Sequence, residues 1–176
     1  MNLGVDRETV ERYIYALEQT FVIQKLTPYF KNFRQEIIKA NKVYFLDNGL
    51  RNLVFENFDK IDDRLDKGAV LENAVLSELA FLARGKIGGF SFWRTKQKTE
   101  VDFVIEKGST LLPIEVKWQI KGKSLSAGLR NFISKFSPQK VLIVSLVEKE
   151  YSTKFKKTEV VVTHPIFLER NIKEMI

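Results

Sequence analysis

Between residues 90 and 117 apolar positions recur with the period of two that a pleated strand imposes. FSFWRT, EVDFVIE and LLPIEVKW predict three strands there. The first two form a hairpin over the basic turn Lys96–Thr99, and the third follows through the Lys107-Gly108 turn. On either side the period becomes helical. GAVLENAVLSELAFLARG predicts a long helix ended by Gly85, and Leu125, Leu129, Phe132, Ile133 and Phe136 mark the inner side of another. KVLIVSL, from Lys140 to Leu146, is a continuous apolar run and predicts a buried strand. A helix between two such strands adds the second in parallel through a crossover. The tail, Glu159 to Ile176, holds one more strand (EVVVT) and a short terminal helix.

The first third has a different pattern. Asp6 is placed to cap a helix, with Val5 and Val10 at the positions of a hydrophobic staple. Val10, Tyr13, Ile14, Leu17 and Phe21 give that helix an apolar stripe. VIQKLTPYF reads as a strand interrupted by Pro28, and KVYFLD as a second strand. Residues 48–67 predict a short helix and connector with an acidic turn at Asp62, Asp63 and Asp66. A helix followed by a two-stranded ribbon is what a winged helix retains without its early helices. The pattern therefore divides into a segment over 1–67 and an α/β domain over 68–176, a mixed sheet flanked by helices.

Composition narrows the chemistry. A hydrophobic content of 44% in 176 residues supports a sizeable core. There is no cysteine, which excludes thiolate nucleophiles and sulfur-ligated zinc, and there is one histidine, His164, which argues against His-rich metal sites and a self-contained Ser-His-Asp triad. Any bound ion should be a hard one held by oxygen, such as Mg²⁺ or Mn²⁺. No apolar run spans a membrane and Met1–Glu8 offers no apolar leader, so the expectation is a cytoplasmic protein without a membrane partner. Residues 1–67 carry 11 basic and 11 acidic side chains, whereas 68–176 carry 18 and 11. The whole excess of +7 thus falls in the α/β part. Such asymmetry suits a polyanionic partner, and equally a lysine-rich solvated surface.

Certain acidic residues stand where their neighbours are apolar. Glu72 has Val75, Leu76 and Leu79 at i+3, i+4 and i+7, in the middle of a helix's buried side. A carboxylate there implies an ion pair, a metal or a shifted pKa, or else a favourable place near the helix start. Glu78 flanks the same stripe. Asp102 lies among Val101, Phe103, Val104 and Ile105, with Glu100 as its rival on the same face. Glu115 and Lys117 are two apart on one strand and share a face. Two carboxylates and an amine on one side of a sheet suit metal-assisted phosphodiester hydrolysis; the bland alternative for Glu115 and Lys117 is an exposed ion pair.

Gly68-x-x-x-Glu72, Asp102, a twelve-residue interval and Glu115-Val116-Lys117 together resemble the PD-(D/E)XK nuclease superfamily, and the Gly-x-x-x-Glu helix resembles that of Holliday-junction resolvases. More broadly, TVERYIYALEQTFVIQKLTPYFKN, KVYFLDNGLRN, GAVLENAVLSEL, FWRTKQKTEVDFVIE and PIEVK resemble the C-terminal region of a prokaryotic AAA+ ATPase family. There a winged helix precedes a nuclease-like domain of unknown function. The resemblance implies a restriction-endonuclease-like fold. It implies that Asp102, Glu115 and the Val116 carbonyl ligate Mg²⁺ or Mn²⁺, with Glu72 completing the shell through water or holding a second ion. Lys117 would orient or help deprotonate the attacking water, and Arg94, Lys96, Lys98, Lys121 and Lys123 would contact phosphates of DNA.

Two departures from that pattern shape the expectation. No Gly-x-x-x-x-Gly-Lys-Ser/Thr loop is present, so there is no nucleotide site of that kind and the chain is not itself the ATPase. The winged helix lacks its early helices, which marks the chain as a fragment, a split gene or a truncated relative. Its first helix exposes Arg7, Glu8, Glu11, Arg12 and Glu18, a mixed rather than a positive surface. The leading expectation is a Mg²⁺-dependent nuclease domain, with a homo-oligomer or a separate ATPase as partner. The alternative is an inactive module binding nucleic acid or protein. Trp93, Trp118 and His164 read as structural, and Lys154, Lys156 and Lys157 as a solvated basic loop.

Overall fold

A computed structural model describes residues 4–30, 41–85, 87–120, 122 and 124–176. The predicted α/β pattern is realised as one six-stranded mixed sheet with helices on both faces. The elements in chain order are α1 (Arg7–Gln19), β1 (Ile23–Leu26), β2 (Lys42–Phe45), α2 (Asn48–Val54), α3 (Lys67–Ala83), β3 (Phe90–Arg94), β4 (Glu100–Lys107), β5 (Thr110–Lys117), α4 (Ala127–Phe136), β6 (Lys140–Ser145), β7 (Tyr151–Phe155), β8 (Thr158–Thr163) and α5 (Leu168–Met175). The strands lie in the order β3-β4-β5-β6-β8-β7. The β3-β4-β5 meander is antiparallel, β5, β6 and β8 run parallel, and β7 returns antiparallel at the edge.

The alternation along the strands sorts the core into two layers. Phe103, Ile105, Ile114, Val116, Leu142 and Val144 face α3 and α5, meeting Leu76, Leu79, Leu82 and Ile172. Val101, Val104, Val141, Ile143, Val160 and Val162 face α4, meeting Leu129, Phe132 and Ile133. Fully burying one such side chain contributes about 1.5–3 kcal/mol, so the two layers fix the sheet between its helices. Trp93 belongs to the second layer, edge-on to Phe132 at 5.3 Å, and Trp118 packs beside the first with the Lys67 ammonium 5.6 Å from its ring. His164 accepts from the Ile166 amide at the start of a single 3-10 turn.

The first segment differs from its prediction in one respect. Asp6 does cap α1, accepting from Thr9 N at 2.8 Å. Yet α1 buries no residue, and Val5, Val10, Tyr13, Leu17 and Phe21 of its staple and stripe are all exposed. Helical periodicity reports which side is apolar and is silent on what covers it. The β1–β2 ribbon is antiparallel, and it is fastened to α3 by Asn73, which accepts from Phe45 N at 3.0 Å and donates to Phe45 O at 2.8 Å. Of Lys154, Lys156 and Lys157, read from the sequence as a solvated basic loop, Lys156 and Lys157 lie in a turn, but Lys154 instead belongs to edge strand β7. Four of its five residues are exposed, which is why apolar alternation did not mark it. Among the described residues no helix is long and apolar enough to cross a membrane.

Candidate functional site

A β-bulge builds the centre of the site. Ser91 pairs with Val104 and Trp93 with Val101, so two steps on β3 oppose three on β4, and the extra residue falls at Asp102–Phe103. Bulges re-aim side chains and are frequent beside functional sites. On the other side the β4–β5 ladder begins only at Phe103↔Ile114. Beyond it the Asp102 carboxyl takes the place of a backbone acceptor: Val116 N–H donates to Oδ2 at 2.8 Å.

Side chains reach the neighbourhood of Asp102 from both faces of the sheet. Glu72 comes from α3, on the first core layer. Glu115 lies between Ile114 and Val116, which face that layer, and so points to the other side of the sheet. There Ser126, whose hydroxyl caps α4 by accepting from Leu129 N, donates to Glu115 Oε2 at 2.6 Å. Lys117 shares the face of Glu115, as its i+2 position requires, with Nζ 2.7 Å from Oε1. Glu115 is buried, whereas Lys117 is about half exposed (49%) and reaches solvent.

The electrostatics show that these groups feel one another. Burial pushes the Asp102 carboxyl up to about 7, and Glu72 and Glu115 reinforce the shift against the Val116 hydrogen bond and the attraction of Lys42. For Lys117, burial favours the neutral amine, but Glu115, then Asp102 and Glu72, more than offset it and hold the group above the ordinary lysine value. Lys117 is therefore an ammonium at neutral pH. It can stabilise negative charge and orient a water; as placed it does not suit proton abstraction.

Sequence reasoning missed two residues, both from the β1–β2 ribbon. Lys42 Nζ lies 3.3 Å from Glu72 Oε1 and also pairs with Glu100 Oε1. The Tyr44 hydroxyl donates to Glu72 Oε1 at 2.5 Å, and burial followed by Glu72 raises its pKa well above the usual phenol value. The available signal was the i, i+2 spacing of Lys42 and Tyr44, which puts them on one face of a strand whose partner was unknown. The unusual position of Glu72 is thus explained by an ion pair and a phenol. Glu100, the rival of Asp102, is engaged by Lys42 and by Arg94 Nε.

Of the expected phosphate contacts, Arg94 sits at the end of β3 beside Glu100, and Lys96 and Lys98 are exposed in the turn that follows. Lys121 and Lys123 lie outside the described residues. The oxygen-only donors Asp102, Glu115 and the Val116 carbonyl suit a hard divalent ion in chemistry. As the side chains stand, Lys42 and Lys117 supply the positive charge, and among the described residues no three acidic groups close around a common point.

A family model described as a domain of unknown function (DUF4143) matches residues 67–167. A second, also a domain of unknown function (DUF8612), matches residues 1–61. Curated relatives include the uncharacterized protein Rv2008c of Mycobacterium tuberculosis and the uncharacterized protein Mb2031c of Mycobacterium bovis. Each is 30% identical over 149 residues, covering 81% of this chain and 32% of the relative. The chain thus spans about a third of the length of the curated relatives it matches.

Proposed function

We propose, for a chain that belongs to the DUF4143 family, that Glu72, Asp102, Glu115 and Lys117, gathered at this end of the sheet from its two faces, form a cation-dependent phosphodiesterase site of the PD-(D/E)XK kind, acting on DNA in the cytoplasm. The observation that carries this reading is the buried Asp102 carboxyl. It stands between splayed strands, is raised to about 7 by burial and by two neighbouring acids, and lies within reach of the Lys117 ammonium. A buried carboxyl raised by desolvation and by specific charged neighbours is a pattern that functional sites share, and it supports this reading.

Asp102, Glu115 and the Val116 carbonyl would hold Mg²⁺ or Mn²⁺, with Glu72 behind them. The ion would supply Lewis-acid polarisation of the phosphate and a more acidic water. The residues of the chain do the rest. Lys117, fixed by Glu115, presents its ammonium to the charge that develops on phosphate oxygens. Ser126 fixes the opposite oxygen of Glu115, which limits the carboxylate to one orientation. Arg94, Lys96 and Lys98, continuous with β3 and β4, would align the phosphodiester backbone, together with Lys121 and Lys123.

A second reading has its own support: Glu72, Glu100 and Glu115 already have cationic partners, as in a module that keeps the fold for binding. Branched, duplex and single-stranded DNA incubated with Mg²⁺ or Mn²⁺ separates the two. The nuclease reading expects cleavage that is lost in both Asp102→Asn and Lys117→Ala. Salt-sensitive binding without cleavage would replace it with the binding module, and equal cleavage by wild type and variants would remove the assigned residues.

A further inference from the structure

Lys42 holds a position that the hydrolytic site does not require of it. It comes from β2, 30 residues ahead of Glu72, and its side chain is only 19% exposed. Its ammonium contacts Glu72 and Glu100 and is attracted by Asp102. The rings of Phe92 and Tyr44 lie 5.5 and 5.7 Å from Nζ. Burial alone would favour the neutral amine, but the pull of Glu72, Glu100 and Asp102 keeps it charged, above the ordinary lysine value. Carboxylates on one side and aromatic faces on the other are the surroundings of a bound cation.

We propose that Lys42 is a built-in cation of this site, which competes with a divalent ion for the oxygens of Glu72 and its neighbours, so that the N-terminal ribbon sets the metal affinity of the domain beneath it. The inference rests on the cation-dependent reading above. A divalent ion at Asp102 and Glu115 would lie near the Lys42 charge and be repelled by it, while any second ion on Glu72 would have to displace the ammonium outright. The ribbon is held by Asn73 independently of this ion pair, so Lys42 can leave the carboxylates while β2 stays in place.

Mn²⁺ titrations followed by calorimetry and by electron paramagnetic resonance, on wild type, Lys42→Gln and Lys42→Arg, test the proposal. Lys42→Gln should bind Mn²⁺ tighter by about tenfold or more, or gain a second ion, while Lys42→Arg stays within about twofold of wild type. Equal or weaker binding by Lys42→Gln overturns the proposal and leaves the cation-dependent reading standing. Absence of Mn²⁺ binding in all three proteins overturns both. A measurement on the unaltered chain avoids any folding defect of the variants. Amine-selective labelling read by mass spectrometry should show Lys42 protected without metal and modified severalfold faster in saturating Mg²⁺, and a labelling rate indifferent to Mg²⁺ refutes the competition.

Discussion

Asp102→Asn isolates the charge at the centre of the site. The side chain stays the same size, and its carbonyl oxygen can still accept from Val116 N–H, the bond that Asp102 makes at 2.8 Å. What is lost is ionisation. The folded carboxyl titrates at about 7 against an ordinary 3.8, a rise of about three units. Between those pH values the folded chain holds a proton that the unfolded chain has released. Stability therefore falls as pH rises: the contribution is complete below 3.8 and is lost as pH passes 7. At ~1.4 kcal/mol per unit the full swing is about 4 kcal/mol, an upper figure because Glu72 and Glu115 readjust as Asp102 ionises. The Asn variant has no such swing. It should match wild type near pH 4 and exceed it in stability by a few kcal/mol at pH 8 in chelator, with Mg²⁺ or Mn²⁺ raising wild type alone. Urea unfolding followed by fluorescence of Trp93 and Trp118 at pH 4 to 8 gives the comparison. A variant less stable than wild type at pH 8, or a ¹³C-detected Asp102 titration with its midpoint below about 5, would refute the account of a cation-seeking carboxyl.

Two further substitutions probe the frame around the site. Gly128 lets α4 approach β4: a Cβ there would overlap the Glu100 carbonyl, within 2.7 Å of its carbon and closer still to its oxygen. Gly128→Ala should lower stability by about 3 kcal/mol or more and shift the NMR signals of Glu100 and Asp102, and a variant as stable as wild type in urea would contradict that packing. Asp66 holds the buried Arg64 through two bonds of 2.9 Å and Arg51 through a third, and Arg64 foremost keeps its carboxyl well below the ordinary 3.8. A lowered value stabilises above 3.8 and is lost as pH falls beneath it, so Asp66→Asn should melt earlier than wild type at pH 7 with the gap narrowing in acid; a gap independent of pH counts against this.

The fold was legible wherever one face of an element is buried. Period-two alternation marked β3 to β5, and the continuous apolar run marked β6, because each packs against a helix. β7 escaped because an exposed edge strand carries no such contrast. Within the site, Glu72 betrayed itself as an acid among apolar neighbours, and the Glu115–Lys117 pair followed from strand geometry alone. The bulge at Asp102 was invisible, since one inserted residue alters pairing without altering composition. Lys42 and Tyr44 were invisible for another reason: their partner is 28 to 30 residues away, across a junction that local patterning does not bridge.

That junction also bears on what the matched families mean. One family model ends at residue 61 and the other begins at 67, so the two are separable in sequence. Their chemistry is less separable. Lys42 and Tyr44 belong to the first and Glu72, Glu100 and Asp102 to the second, and the contact between them is roofed by Phe92 and braced by Asn73, which is only 3% exposed. A half-buried ammonium shared by two carboxylates gains little without a reason, because desolvation offsets much of the Coulomb attraction. Gluing a ribbon to a helix needs no such arrangement when Asn73 and the apolar residues beside it already suffice. The economical interpretation is that the ribbon is there to present a charge. If the 67–167 unit binds a cation as proposed, its affinity then depends on the segment that precedes it.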